Sequence, residues 1–488
     1  MSVWVLPWPA SLAHAKPPTA PTPARPMGPV GARPSGHVKL APLRAFLMTP
    51  LEHLRAGQLA GSQRLALACG LTEFPREIFE LADTLEILDL SGNALRELPA
   101  DLPRLHRLRI LFCSDNQFTE LPAVLGQCPS LRMIGFKANQ IRHVPAAALA
   151  PALRWLILTD NQIEELPAAI GRCVQLQKLM LAGNQLRALP AEIAACTRLE
   201  LIRIAANQLT EFPAALLALP RLAWLAYAGN PFCAAQEAAA LRAAPGPRMA
   251  WDALQLQHVL GQGASGVIHQ AHWQHATGAQ PVALKLFKGA VTSDGLPQSE
   301  MAACLQAGAH PHLIPLLGQL ADHPDGAPGL LMALIEPGFR TLAGPPSLDS
   351  CTRDVYAADT RFDAASALHL ALGMASAARH LHAQGLLHGD LYGHNILHNG
   401  QGQALLGDFG AASFLAPDDP AQAHALQRLE VRAFGCLLEE LLACCPPDAA
   451  FVLAPLAALV RACQHEDVSA RPLFDEIEQR LRTLAGDL

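Results

Sequence analysis

The sequence predicts an α/β solenoid in its first half and a separate, non-repeating α+β domain in its second. Two observations carry that division. An asparagine recurs at positions 93, 116, 139, 161, 184, 207 and 230, at intervals of 23 residues broken once by 22, a period that marks stacked repeats. Beyond residue 250 the period stops, and a glycine-rich stretch is followed by a Lys, a Glu, an Asp, an Asn and a second Asp in apolar surroundings.

The chain has 488 residues, enough for two to four domains. No run of about 18 apolar residues lacks a charge, so no membrane-spanning helix is expected. The net charge of −6 gives no electrostatic reason to expect nucleic acid. The 12 cysteines form no CxxC pair, and Cys128, Cys173 and Cys196 each fall twelve residues after a repeat asparagine. That placement suits small buried residues in a reducing, cytoplasmic setting, not a disulfide framework or zinc site.

Residues 1–47 hold ten Pro, five Lys or Arg and no Asp or Glu. They are expected to be disordered, because they cannot bury enough apolar surface. The start resembles a signal peptide only at Ala13–Ala15; Pro7 and Pro9 interrupt its apolar stretch, and Met48 is an alternative start.

Residues 48–245 form the repeat region with its caps. "LEILDLSGNALRELP" (85–99) recurs through "LELIRIAANQLTEFP" (199–213), after a degenerate first coil at 64–75 and before a capping helix at 230–244. Each LxL reads as a short strand with its Leu pair turned inward. The Asn serves backbone groups at the bend, and the Pro ends the unit. The pattern resembles the leucine-rich repeat family, which implies coils stacked in a curved solenoid. Its concave stripe, read around each Leu pair, is Ile87, Ile110, Phe112, Met133, Trp155, Ile157, Met180, Leu201 and Trp224, with Asp89, Lys137, Lys178 and Arg203 as polar members. So large an apolar stripe implies a cover. A protein partner or substrate on Phe112, Met133, Trp155, Ile157, Met180 and Trp224 is favoured over the chain's own second domain, because the linker at 246–253 is short.

Early in residues 254–488 comes "VLGQGASGVIHQA" (259–271), where Gly261, Gly263 and Gly266 let backbone amides approach a phosphate. Lys285 sits in a strand-like apolar run and needs a partner. Glu300 is the one Glu between it and residue 335. "LLHGDLYGHNIL" supplies Asp390 and Asn395, and "ALLGDFGAAS" supplies Asp408. In this order the residues resemble the eukaryotic-type protein kinase family, a bilobal α+β fold acting with ATP and Mg²⁺.

The resemblance implies that Lys285 holds the α- and β-phosphates, Glu300 pairs with it, Asp390 orients the acceptor hydroxyl, and Asn395 and Asp408 bind Mg²⁺. It also implies that the nucleotide lies against Gly261, Gly263, Ala264, Ser265, Gly266, Ile268 and Ala283. Met332 takes the gatekeeper place, with hinge groups from Ala333 to Ile335.

Several positions depart from the family pattern. Gly389 stands where many kinases carry Arg, Tyr392 where serine/threonine kinases commonly carry Lys, and Glu430 where an Asp is usual. Asp418 in an APE-like "APD" is expected to pair with Arg471, leaving an activation loop so short that Gly389→Arg should change little. Ser413 is its candidate phosphosite. The reading is a serine/threonine-type protein kinase whose repeats select a partner. A small-molecule phosphotransferase, suggested by the HGDxxxxN likeness, and a pseudokinase scaffold stay open.

Overall fold

Eight short parallel strands, one per coil, make the inner wall of the solenoid in strict chain order: β1 (Arg64–Ala66), β2 (Ile87–Asp89), β3 (Ile110–Phe112), β4 (Met133–Gly135), β5 (Trp155–Ile157), β6 (Lys178–Met180), β7 (Leu201–Arg203) and β8 (Trp224–Ala226). The structure, a computed structural model, describes residues 49–243, 247–263, 265–275, 278–288, 291–446 and 450–486. The segment 1–47 and Ala264 lie outside the described residues.

The repeat asparagines bind from coil to coil. Asn116 donates to Leu90 O at 2.9 Å and accepts from Leu95 N–H at 2.9 Å, and Asn161, Asn184 and Asn207 repeat the pattern. The residue before each is held at positive φ, from Asp115 at 52° to Gly229 at 73°. After each repeat Pro a 3-10 turn forms the outer wall. Helix α1 (Pro50–Arg55), capped by a Thr49/Glu52 capping box, precedes the first coil, and α2 (Ala234–Ala243) follows the last.

The second domain opens earlier than the expected linker allows. β9 (Arg248–Ala250) pairs in parallel with β13 (Leu316–Ala321) as an edge of a six-stranded sheet. The others are β10 (Leu254–Gln262), β11 (Gly266–His275), β12 (Gly278–Phe287) and β14 (Gly329–Ala333). α3 (Pro297–Ala307) packs beside it. The larger lobe is helical: α4 (Ala364–Ala383), α5 (Pro420–Ala443), α6 (Ala450–Cys463) and α7 (Phe474–Gly486). Two small sheets carry its loops, one of three strands, β15 (Arg340–Thr341), β17 (Ile396–His398) and β18 (Ala404–Leu406), and one of two, β16 (Leu386–Leu387) and β19 (Ser413–Phe414).

The strand register of the stripe follows the sequence, but its cover does not. Leu88, Leu111, Ile134, Leu156 and Leu179 face the solenoid core, while Met133, Trp155, Ile157, Met180, Leu201 and Trp224 join one apolar cluster with α4, α5 and the loop after β16. Phe112 packs on the same cluster. The concave face is therefore occupied by the chain's own second domain, not open to a partner in trans. The short connection is the reason: α2 lies against α3, and β9 is already in the sheet, so the domain starts folded back. The solenoid core also runs on into Leu387, Leu415, Leu426 and Leu429. Burying Met133, Trp155, Met180, Leu201 and Trp224 is worth at most roughly 8–15 kcal/mol before ordering costs, so separating the halves is expensive.

Candidate active site

Lys285 lies on β12, paired to Ile268 on one side and Leu330 on the other. Glu300 is in the first turn of α3, 3% exposed, and forms an ion pair with Lys285. Burial opposes the Lys285 charge, but Glu300 and Asp408 outweigh it and hold the ammonium above its ordinary value. Gly266 turns the hairpin where an added Cβ would stand 2.4 Å from Leu286 O, and Lys288 Nζ reaches back to Gly263 O at 3.0 Å. Ala283 is paired with Met332, and Ala333 N–H donates to Pro315 O at 2.9 Å.

Asp390 and Asn395 lie between β16 and β17. Asn395 Nδ2 donates to Asp390 O at 3.0 Å and to Asp390 Oδ2 at 2.9 Å, so its amide oxygen is the atom left for a cation. His388 is fully buried against Gly407 O at 2.9 Å. Gly389 N–H donates to Glu430 Oε1 at 2.6 Å, and Glu430 Oε2 meets His382 Nε2 at 2.7 Å. Burial would raise the Glu430 carboxyl, but His382 more than reverses this and it sits below its usual range. Asp408, at φ 55°, is exposed and near enough to act electrostatically on Lys285, Glu300 and Asp390. The five residues read from the sequence are thus brought to one place.

The repeats complete that place. Arg203, at the end of β7 and 2% exposed, donates from Nε to Asp294 Oδ1 at 2.7 Å and from Nη1 to Gly389 O at 3.3 Å, and forms an ion pair with Asp390. Trp224 stacks on Tyr392 with centroids 4.3 Å apart and planes 6° apart, and its Nε1 donates to Leu391 O at 3.3 Å. Tyr227 N–H donates to Ser413 Oγ at 3.0 Å, and Tyr227 OH to Phe414 O at 2.9 Å. Ser413 is fully buried, so it is no accessible phosphosite. Ala182, Ala205 and Ala226, one from each of three coils, give Ala411 a close approach.

Arg471 does not pair with Asp418. Its Nη2 donates to the repeat carbonyl Pro220 O at 2.7 Å and its Nη1 to Arg428 O at 3.1 Å, while Asp418 is exposed. The solenoid carbonyl claims the donor that the expected pair required.

Sequence reasoning placed Arg203 on the concave stripe but not in this site, and missed Asp294 and Glu237. Glu237 on α2 accepts from Gly229 N–H at 2.7 Å and from Ser299 Oγ at 2.7 Å, tying α3 to the solenoid one residue before Glu300. Glu237→Ala is expected to cost about 1–3 kcal/mol and to loosen α3. Hydrogen exchange would read faster opening at residues 297–303, whereas wild-type protection there would contradict the role given to Glu237.

Residues 254–436 match the model for protein tyrosine and serine/threonine kinases, and residues 84–105 match that for leucine-rich repeats. A putative cyclin-dependent kinase F-2 of Oryza sativa subsp. japonica is 28% identical over 206 residues, 38% of this chain and 61% of that protein. The serine/threonine/tyrosine-protein kinase HT1 of Arabidopsis thaliana is 27% identical over 147 residues, 22% of this chain and 38% of that protein. A probable serine/threonine-protein kinase of Dictyostelium discoideum is 32% identical over 119 residues, 21% of this chain and 18% of that protein. The chain therefore spans less than two thirds of each of these relatives. With that match and the assembled site together, the chain is a leucine-rich repeat solenoid joined to a domain of the protein kinase family.

Proposed function

We propose that the protein is an ATP- and Mg²⁺-dependent kinase of serine/threonine type, transferring the γ-phosphate of ATP to a hydroxyl. The buried Lys285–Glu300 ion pair carries this reading, because it is an expensive feature with no packing purpose of its own. The donor set fits the group it would serve. Lys285 offers a charged amine and the glycine hairpin a close backbone approach at Gly266, while Asn395 and Asp408 offer the oxygen ligands that Mg²⁺ takes. Bound Mg²⁺ neutralises charge on phosphate oxygens. Asp390 would hold the acceptor hydroxyl, and Gly261, Ser265, Ile268, Ala283, Met332, Ala333 and Ile335 would receive the nucleotide.

A second reading has its own support. Residues 411–415, next to the acceptor side of Asp390, are buried beneath the repeats, which leaves no open edge there for an extended protein chain. A small alcohol as acceptor suits that enclosure. Recognition of a further protein by the repeats falls to their outer faces. All 12 cysteines are free, which supports a reducing, cytoplasmic setting.

The deciding assay supplies labelled ATP and Mg²⁺ and scores label on protein, on a metabolite mixture or on neither. Lys285→Met and Asp408→Asn should each reduce transfer by 10²-fold or more, on the order of one lost electrostatic contact to the transition state, with thermal unfolding little changed. Full activity in Asp408→Asn would refute the catalytic assignment, and label on neither pool would favour a pseudokinase.

A further inference from the structure

We propose that Arg203, carried by the repeat domain, is a positioning residue of the phosphotransfer site: it holds Asp390 in place and brings the fixed positive charge that the catalytic loop does not contain. The inference rests on the kinase reading above.

Three nitrogens of one guanidinium bind two carboxylates and a main-chain carbonyl drawn from two segments, 294 and 389–390. A pin between domains would not need such a group. The interface is already sealed by apolar side chains, and a buried ion pair is a poor source of net stability compared with a well-packed hydrophobe. The target is specific as well, since Asp390 is the carboxylate nearest the transfer chemistry and Asn395 holds its other oxygen.

The loop 388–397 contains no Lys or Arg. Tyr392 cannot act in place of one, because it lies 4% exposed beneath Trp224. Phosphoryl transfer depends on fixed cations around the transferring group, and here one arrives from outside the kinase-like domain. Lys178, one coil earlier on the same face and 4% exposed, lies close enough to act on Arg203, Asp294 and Asp390.

The contact assembles the site and does not block it. With the repeats closed, Lys285 and Glu300 are paired, Asp408 is exposed, and 17% of the Asp390 side chain stays accessible. Gly389, whose absent side chain leaves room for Leu225 O, shows the loop itself fitted to the closed arrangement.

The test measures Mg·ATP turnover, fluorescent-nucleotide binding and thermal unfolding in the full chain carrying Arg203→Lys or Arg203→Met. Asp294→Asn is made alone and with Arg203→Met, so that the loss of the guanidinium does not strand a second carboxylate. Arg203→Met should lower kcat by about 10²-fold with KM for ATP changed less than threefold, and Arg203→Lys should recover part of the loss. The Asp294→Asn, Arg203→Met pair should regain thermal stability but not kcat. Wild-type kcat in Arg203→Met, or in the double variant relative to Asp294→Asn, would reduce Arg203 to a structural pin. A rise in kcat would make it a restraint and overturn the proposal. A wild-type chain that neither binds nor turns over ATP would overturn the kinase reading itself, and that result appears before any variant is made.

Discussion

Replacing Gly389 with arginine, the residue many protein kinases carry there, is expected to damage the protein and not merely to leave it unchanged. Gly389 sits at φ 73°, a conformation that costs a side-chain-bearing residue roughly 1–2 kcal/mol. An added Cβ would stand 2.5 Å from Leu225 O and 2.5 Å from Ala411 O. Both are backbone atoms, one in the solenoid wall and one in the segment beneath it, and neither can swing aside as a flexible side chain could. Overpacking adds about 1–3 kcal/mol, so even Gly389→Ala should cost roughly 2–5 kcal/mol. Gly389→Arg adds a second cation where Arg203 already lies against the Gly389 carbonyl. The expected result is a melting temperature several degrees lower for Gly389→Ala and little folded protein for Gly389→Arg. Wild-type thermal unfolding of Gly389→Ala would mean that the repeats do not rest on this loop in solution. The glycine is thus explained by a neighbour 164 residues away in sequence, not by the brevity of the segment after Asp408.

The parts of the molecule that could be read from sequence are those whose reason is local. The solenoid announces itself because each coil needs the same inward Leu pair, the same Asn and the same Pro. The alternation of strand faces then separates Leu156 from Trp155 without further information. Lys285, Glu300, Asp390, Asn395 and Asp408, which lie close together in the structure, stood out because their order along the chain resembles a known family pattern and because charged residues in apolar runs need partners. What covers the stripe could not be read, because an apolar face states that it is covered and not by what. Arg203 to Asp390 spans 187 residues and leaves no periodic trace. A joint signal did exist: cations at 178 and 203 on a mostly apolar stripe, and a loop at 388–397 with none. The Asp418–Arg471 expectation failed for the same reason, since the carbonyl of Pro220 that takes Arg471 belongs to the other domain.

The largest effect on stability is expected from Trp224→Asp. Trp224 is 2% exposed, stacked on Tyr392 and hydrogen-bonded to Leu391 O. Truncating a buried Trp costs about 3–5 kcal/mol. A carboxylate left there would add the penalty of burying a charge in the apolar seam against Tyr392. Trp155→Asp is the matched control. Trp155 is 5% exposed in the same stripe, but Lys178 Nζ lies 4.4 Å from its ring centroid, so a new carboxylate there has a cation at hand. Trp224→Asp should therefore be the more damaging of the two, although both remove an indole from one surface. Denaturant unfolding followed by far-UV circular dichroism and by tryptophan fluorescence would test this. Because the solenoid core and the kinase-like domain share buried clusters, the wild-type chain should unfold in one transition with both probes coincident. Trp224→Asp should shift that transition to lower denaturant or divide it, as the repeats release the domain they hold. Two separate transitions already in the wild type, with Trp224→Asp unfolding at the wild-type midpoint, would show that the two halves are not joined through the concave face.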